Sequence, residues 1–433
     1  MSHMTNQSNQ RFDPKRVSAY GVFIFLIVSL FFIYEFFLRT SLDALEGMPH
    51  DLFVKMLDIT PMQLSLVGAA YAITYSVMQI PVGVIVDRYG VRKVGTLALI
   101  GCVIGVVVFS LAQGFYSAFI GRLMIGFGSA FAFVLLLKVA MDWFPQRVLG
   151  LALGMTQILG MLGPLLSDVP LSASLKAVDY QWRLIFYVIA AVGVILSIVF
   201  FIFVKDRYAP DRQSTWKQVG CKIVSLFKYK QLLAIAMFAF FIYPAAELFG
   251  SLYGSSYLET RGITSVNASG VIMFIWLGMG IGSPIIGLAS DYIKRRKPLL
   301  YFSAILGIAA SILIIYGPTF STGIYDLLFF CFGFATGAQA FSFALVVENI
   351  PAKLEATAVG FNNMCVLAGT AIIQMCGGMI LSLLGGKNGN QLIHYQIMLG
   401  LSVLFFMVAF IAAVCFVKET YCQRRFDKVM YAD

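Results

Sequence analysis

The chain has 433 residues, of which 60% are hydrophobic and 12% charged, and its formal net charge is +10. A soluble chain of this length carries about twice that charge fraction, so the composition excludes an ordinary globular enzyme and describes a polytopic membrane protein. The basic excess is not clustered on a soluble face, which leaves no nucleic-acid partner, and it reads as loop topology.

Residues 1–19 are polar and basic, lack a cleavage-site pattern, and read as a cytoplasmic tail rather than a signal peptide. The opening MSHM has the look of a cloning remnant, with Met4 as the native start. Six apolar runs follow, at 20–46, 61–86, 94–113, 115–140, 148–171 and 182–204, each close to the roughly 20 residues a span requires. A polar stretch, 205–230, with Lys205, Arg207, Arg212, Lys217, Lys222, Lys228 and Lys230, reads as a cytoplasmic linker. Six more runs occupy 231–258, 267–290, 298–317, 323–347, 355–384 and 394–417, and a second basic tail covers 418–433. The expected architecture is all-α: a six-helix bundle at 20–204 and another at 231–417.

Lys and Arg gather in alternate loops, at 11–16, 88–93, 205–230, 294–297 and 418–428. The loops between hold only Lys55, Lys176, Arg183, Arg261 and Lys387. That bias places both termini in the cytoplasm. Helical runs of this length exclude a barrel. The short loops leave no room for a soluble catalytic domain, and no GxxxxGK[ST] loop is present to use ATP. Seven cysteines show no metal-ligand spacing and no CxxC pair, and His3, His50 and His394 avoid the middles of the apolar runs. No enzyme activity, metal or cofactor is therefore expected, and no histidine proton switch.

The two halves repeat one another. GVIVDRYGVRKV (83–94) follows the second run and GLASDYIKRRKP (287–298) follows the eighth; each reads Gly, three residues, Asp, then a basic cluster. GFYSAFIGRLMIGFGSAFA (114–132) corresponds to GIYDLLFFCFGFATGAQAF (323–341), and WFPQRVLGLALG (143–154) to ENIPAKLEATAVG (348–360). Three matches in one order indicate a duplicated six-helix unit.

With these features the sequence resembles the major facilitator superfamily over residues 20–417. Gly83, Asp87, Arg88, Gly90, Arg92 and Lys93 match its loop signature between the second and third helices, and Arg122, Gly126 and Gly128 match its fourth-helix motif. GMLGPLLSD (160–168) matches the fifth-helix motif of drug antiporters only at Gly160, Gly163 and Pro164, which speaks against drug antiport. YEFFLRTS together with AAYAITYSVMQIPVGVIVDRYG resembles the phagosomal nutrient transporter branch of intracellular bacteria, associated with amino-acid uptake. The resemblance implies a monomeric multi-pass protein of the bacterial inner membrane, working by alternating access. It also implies that Arg39 is similar to a mid-membrane anion-binding arginine, with the first helix continuing to about Gly47. In relatives the acid matching Asp87 faces a helix N-terminus, and Arg88, Arg92 and Lys93 are placed to pair with Asp142. Together with Gly83, Gly90 and Asp291 these form the expected gate, the alternative being that the basic residues only hold the loop inside.

The residues give their own reading of the site. Glu35, Arg39 and Asp43 are four apart and form one helical stripe, and charge facing lipid costs a few kcal/mol or more. The stripe therefore faces a cavity, or else the helix stops near Leu38 and the three charges form an external cap. In the seventh run Tyr243 and Glu247 share a face beside Pro244, Gly250 and Gly254, so a kinked helix there carries a buried acid, as ligand group or as helix–helix bond. Tyr71, Tyr75, Arg122, Gln157, Gln339, Asn362 and Asn363 are the other deep polar positions, each either lining a site or bonding helices together. Arg122 has a structural alternative, on loop carbonyls or Asp168, and Lys138 reads as snorkelling to the interface.

Arg39 suits a carboxylate. Glu35, Asp43 and Glu247 are the expected proton-coupling groups. Both signs together suit proton-coupled uptake of a zwitterion such as an amino acid or short peptide. Organic-anion or organophosphate transport, drug antiport and a non-transporting sensor are the alternatives.

Overall fold

The structure, a computed structural model, describes residues 17–49, 52–207, 220, 223–351, 354–385 and 391–423, except the side chains of 146–154, 157 and 356. Twelve helices in it are long and apolar enough to cross a membrane. They are α1 (Ala19–Glu46), α2 (Pro61–Tyr89), α3 (Val91–Ser110), α4 (Phe115–Trp143), α5 (Ile158–Ala177), α6 (Trp182–Phe203), α7 (Lys230–Thr260), α8 (Ser265–Ile293), α9 (Lys297–Tyr316), α10 (Thr322–Glu348), α11 (Thr357–Gly385) and α12 (Leu392–Phe416). The spacing of apolar runs placed eleven of them to within a few residues, because a helix that must satisfy its own backbone in lipid leaves a continuous apolar signature; the fifth run, read at 148–171, departs from α5 by ten residues at its start and six at its end.

Helix starts follow local chemistry. The Ser18 hydroxyl accepts from Gly21 N at 2.9 Å to open α1, and Thr60 with Gln63 forms a capping box ahead of Pro61 at α2. Interruptions are equally local. The backbone of α5 breaks at Asp168, and α10 breaks at Gly337. In α7, Pro244 opens a new segment and residues Phe249–Tyr253 form a π-turn. By contrast α1 runs unbroken through Arg39 to Glu46, so the external-cap alternative fails. Nothing from Thr40 to Glu46 is a helix breaker, and the Thr40 hydroxyl donates back to Phe36 O at 2.9 Å.

The loop signature is mostly helix. α2 continues to Tyr89, and α3 begins one residue later at Val91. The reversal is taken up by Gly90 at φ +84°, a conformation glycine alone adopts at little cost. A Cβ there would also lie within 2.7 Å of the Asp206 carboxylate, which accepts from Val91 N. Asp206, just after α6, thus supplies the acid at a helix N-terminus that the resemblance assigned to Asp87.

The second half repeats the device. Glu419, just after α12, accepts from Arg296 N at 2.7 Å and Lys297 N at 3.0 Å, at the start of α9. The sequence carries this as FVKDRY (203–208) and FVKETY (416–421), a fourth repeat that the reading above passed over. Burial pushes the Glu419 carboxyl up, but the backbone N–H groups of Arg296, Lys297, Tyr421 and Thr420 outweigh it, and its pKa lies below the ordinary value. A lowered folded pKa stabilises above the ordinary glutamate range, and that stabilisation is lost as pH falls through the lowered value. Asp206→Ala and Glu419→Ala are each expected to cost about 1 kcal/mol, read as a lower Tm in detergent. Glu419→Gln should also flatten the acid side of the Tm–pH curve. An unchanged Tm in both alanine variants rules out the capping role.

Asp87 instead pairs with Lys138 of α4 at 2.8 Å, and Lys138 lies 3.9 Å from Asp142. Lys138 is therefore a partner in a charge relay rather than a snorkelling residue. The cations expected at Asp142 have other contacts. Arg92 donates to Phe201 O at 2.7 Å, Arg88 lies 5.7 Å from the Tyr89 ring, and Lys93 is exposed. Because α3 starts immediately after Gly90, Arg92 sits on its first turn and faces α6. Asp291 pairs with Arg296 at 2.7 Å, and Arg296 also pairs with Glu348 at 2.5 Å. Each of these ion pairs lies within its own half of the chain. Gly83, counted with the gate, has no atom within 4 Å of where a Cβ would stand.

Two of the scattered cations at the opposite end, Arg183 and Arg261, bind helix-end carbonyls, and Lys387 lies outside the described residues. Arg183 donates to Ala112 O at 2.8 Å, just past α3. Arg261 donates to Ile315 O at 2.7 Å and Gly317 O at 3.1 Å at the end of α9. Both satisfy carbonyls that a helix end leaves open. The halves meet along α2 and α11, where Ala69, Ala72 and Ala371 pack closely. There Asn363 Nδ2 donates to Gln79 Oε1 at 2.9 Å, and Ser76 Oγ donates to Met364 O at 2.9 Å. Small residues at such a seam let two helix backbones approach.

Candidate functional site

α1 crosses the middle of the fold against α4, α5 and the π-turn of α7. This brings Arg39 between two acids from different halves of the chain. Its guanidinium lies 3.7 Å from Glu35 and 3.8 Å from Glu247. Both distances are too long for a direct hydrogen bond. At such separations each attraction is worth about 4 kcal/mol at an effective dielectric of ~20. All three groups are buried: Arg39 is 5% exposed, and Glu35 and Glu247 are 0% exposed.

The two carboxylates are held differently. Glu247 accepts on both oxygens, from the Tyr243 hydroxyl on one side and from Ser251 Oγ, at 2.5 Å, on the other. Tyr243 and Ser251 are each four residues from Glu247, and the π-turn directs this stretch of α7 against α1. Glu35 accepts from the Tyr71 hydroxyl at 2.7 Å on Oε1, while its Oε2 has no partner. Arg39 Nε is likewise without one. A buried donor and a buried acceptor left unpaired so near one another are costly.

Arg122 does not reach the cavity. Its Nη1 donates to Leu38 O at 2.6 Å and its Nη2 to Arg39 O at 3.2 Å, and its guanidinium lies 5.0 Å from the Tyr71 ring. Its acceptors are carbonyls inside α1, at Leu38 and Arg39, not the loop carbonyls or Asp168 expected from the sequence. It fixes the backbone that presents Arg39.

Asp43, one turn further along α1, also stands apart from the cavity. It accepts from Ser255 N at 3.2 Å and Ser255 Oγ at 2.6 Å. Glu46 accepts from Ser256 Oγ, Tyr253 pairs with Ser65, and Ser172 pairs with Ser269 at 2.7 Å. These bonds join the halves at the end away from the termini and seal it. Sequence reasoning passed over Glu46, Ser255 and Ser256, yet two signals were present. Glu46 continues the stripe of Glu35, Arg39 and Asp43, and GSSY (254–257) is a run of small donors in an apolar helix.

A cavity of about 50 Å³ opens beside Arg39, room for a few waters. Of the expected site residues, Arg39, Tyr75, Tyr243, Gln339 and Asn363 line it. Glu35, Tyr71 and Glu247 stand behind Arg39 rather than on the wall. Asn362 turns away, its Nδ2 donating to Ser342 Oγ at 2.8 Å. The Gln157 side chain lies outside the described residues. The rest of the wall is apolar, and its largest part is four phenylalanines, Phe32, Phe36, Phe133 and Phe343, which the search for polar residues did not pick out. The Phe36 ring centroid lies 3.7 Å from the Arg39 guanidinium carbon, a cation–π contact that helps hold the charge out of water.

A family model described as Major Facilitator Superfamily matches residues 17–374. The hexuronate transporter of Bacillus subtilis (strain 168) is 28% identical over 259 residues, covering 57% of this chain and 60% of the relative, so the match spans less than two thirds of that protein. The D-galactonate transporter of Escherichia coli O6:H1 is 23% identical over 68% of this chain and 75% of its own. A crystal structure of a bacterial homologue of the human lysosomal transporter Spinster, inward-facing and unoccupied, superposes with a TM-score of 0.74. Its identity is 15%, and the match covers 93% of this chain and 98% of that one. At that identity the likeness concerns the fold alone.

Proposed function

We propose that this chain, which belongs to the Major Facilitator Superfamily, is a proton-coupled secondary transporter of a small solute bearing a carboxylate, working by alternating access across the bacterial inner membrane with both termini in the cytoplasm. Its family and relatives are membrane transporters, not enzymes. The observation that carries the reading is the buried Arg39 between Glu35 and Glu247, on the wall of the cavity.

A guanidinium already balanced by two carboxylates does not attract a third unless one is neutralised. Glu247, which accepts on both oxygens, suits the ionised state. Glu35, with a free Oε2, is the group that takes the proton. Protonation of Glu35 frees Arg39 for the solute's carboxylate, and release of one favours release of the other, which is a coupling free energy between two ligands. The sealed contacts of Asp43 and Glu46 with α7 then act as the gate on the far side, and the halves 20–204 and 231–417 as the moving bodies.

The amino-acid branch that the sequence resembles is not what the relatives carry. Several are named for sugar acids, whose shared feature with amino acids is the carboxylate, while others are named for sulfoacetate or for choline and ethanolamine. The zwitterion reading keeps one observation in its favour, the second acid beside Arg39, which could face an ammonium.

The experiment is uptake into proteoliposomes under an inward proton gradient, with a panel of labelled monocarboxylates, sugar acids and amino acids. Accumulation of at least one carboxylate that collapses on adding a protonophore is the expected result. Failure of every carboxylate to accumulate, with the protein shown to be folded, sinks the reading.

A further inference from the structure

We propose that the solute's body is apolar: the cavity takes a monocarboxylate with a compact aromatic or branched aliphatic body, and it discriminates against polyhydroxy sugar acids. The proposal rests on the reading of Arg39 as the carboxylate anchor.

The wall supplies the argument. Phe36, Phe32, Phe133 and Phe343 form a connected chain of rings from α1, α4 and α10. Centroid separations along the chain are 5.4 Å for Phe32–Phe36, 5.5 Å for Phe32–Phe133 and 6.5 Å for Phe133–Phe343. Met161 and Met279 face the same space from α5 and α8, and Val366 and Leu367 from α11. Thioethers adapt to irregular apolar shapes, and aromatic edges and faces pack against rings.

Beyond Arg39, four polar side chains line the cavity, and two of these are already committed. The Tyr243 hydroxyl donates to Glu247, and Asn363 donates its Nδ2 to Gln79, leaving its Oδ1. Gln339 and that Oδ1 remain for a solute, with the Tyr75 hydroxyl partly taken up by Gln79. A sugar acid carries hydroxyls around its whole frame, and each one buried against phenylalanine or methionine without a partner is penalised. An apolar body meets the rings, thioethers and aliphatic side chains of that part of the wall without leaving a polar group unpaired.

The test uses the full-length protein in detergent and reads ligand-induced thermal stabilisation as apparent Kd. The probes are phenylacetate, 4-methylpentanoate, glucuronate, galactonate and the uncharged phenylacetamide. Phenylacetate or 4-methylpentanoate should bind at least roughly tenfold tighter than either sugar acid. Phenylacetamide should not bind, and Arg39→Ala should lose the stabilisation. Phe343→Asn, which places an amide in the ring chain, should narrow the preference several-fold. Sugar acids binding as tightly as the apolar acids, and depending on Arg39, overturn the proposal and leave the carboxylate reading intact. No binding by any carboxylate overturns both. A preference unchanged in Phe343→Asn removes the aromatic wall as its cause and overturns the proposal.

Discussion

Arg39→Ala is expected to weaken binding of the carboxylate solute by about 100-fold or more, measured as the apparent Kd in detergent. A bidentate, charge-assisted contact is lost, and the remaining acids repel the solute. Arg39→Lys should restore little, since an ammonium lacks the planar fork that reaches the solute while standing between Glu35 and Glu247. Removing the guanidinium also leaves two buried carboxylates without a cation, which costs roughly 3–5 kcal/mol of stability. The double variant Arg39→Ala/Glu35→Gln relieves part of that cost. It should recover Tm without recovering affinity, so a folding defect and a binding defect separate. Affinity within threefold of wild type in the folded double variant would remove Arg39 from the site.

The second large effect concerns coupling. Glu35→Gln keeps an acceptor for the Tyr71 hydroxyl but cannot exchange a proton. It should preserve counterflow, in which solute exchanges for solute, and abolish concentrative uptake. With one proton per solute, a gradient of one pH unit supports about tenfold accumulation (1.4 kcal/mol). In the variant the ratio should fall to unity and binding should lose its pH dependence. Glu247→Gln serves as the contrast. It disturbs an acid whose two oxygens are both bonded, so stability should fall, while Glu35 keeps its exchangeable proton and binding keeps its pH dependence. Proton-driven accumulation surviving in Glu35→Gln would move the proton to another group, Glu247 or Asp43.

Much of the site was visible before any coordinates, for a physical reason. A charge in an apolar run is expensive, so Glu35, Arg39, Asp43 and Glu247 had to be satisfied somewhere, and helical spacing put the first three on one stripe. Residues for which burial carries no such cost gave no signal. Phe32 and Phe133 are indistinguishable from lipid-facing phenylalanines in the sequence, although they form the cavity wall. Lys138 gave an ambiguous signal, since a lysine near a helix end either snorkels or pairs, and only the position of Asp87 on the neighbouring helix decides. Asp206 and Glu419 were legible as a repeat, yet their role as caps depends on α6 and α12 ending beside the first turns of α3 and α9.

The sequence by itself determined the twelve helices, the boundaries of all but the fifth to within a few residues, the internal repeats and the identity of the costly charges. Each of these follows from one-dimensional constraints: the length and apolarity that lipid imposes, and the internal copying of a unit. Only the tertiary structure decided which charge meets which. It put Glu247 of α7 beside Arg39, gave Arg122 to the carbonyls of Leu38 and Arg39, and turned Asn362 away while bringing Asn363 to the cavity. Those pairings depend on the rotation and crossing of helices hundreds of residues apart, and periodicity along one helix says nothing about the helix it will face.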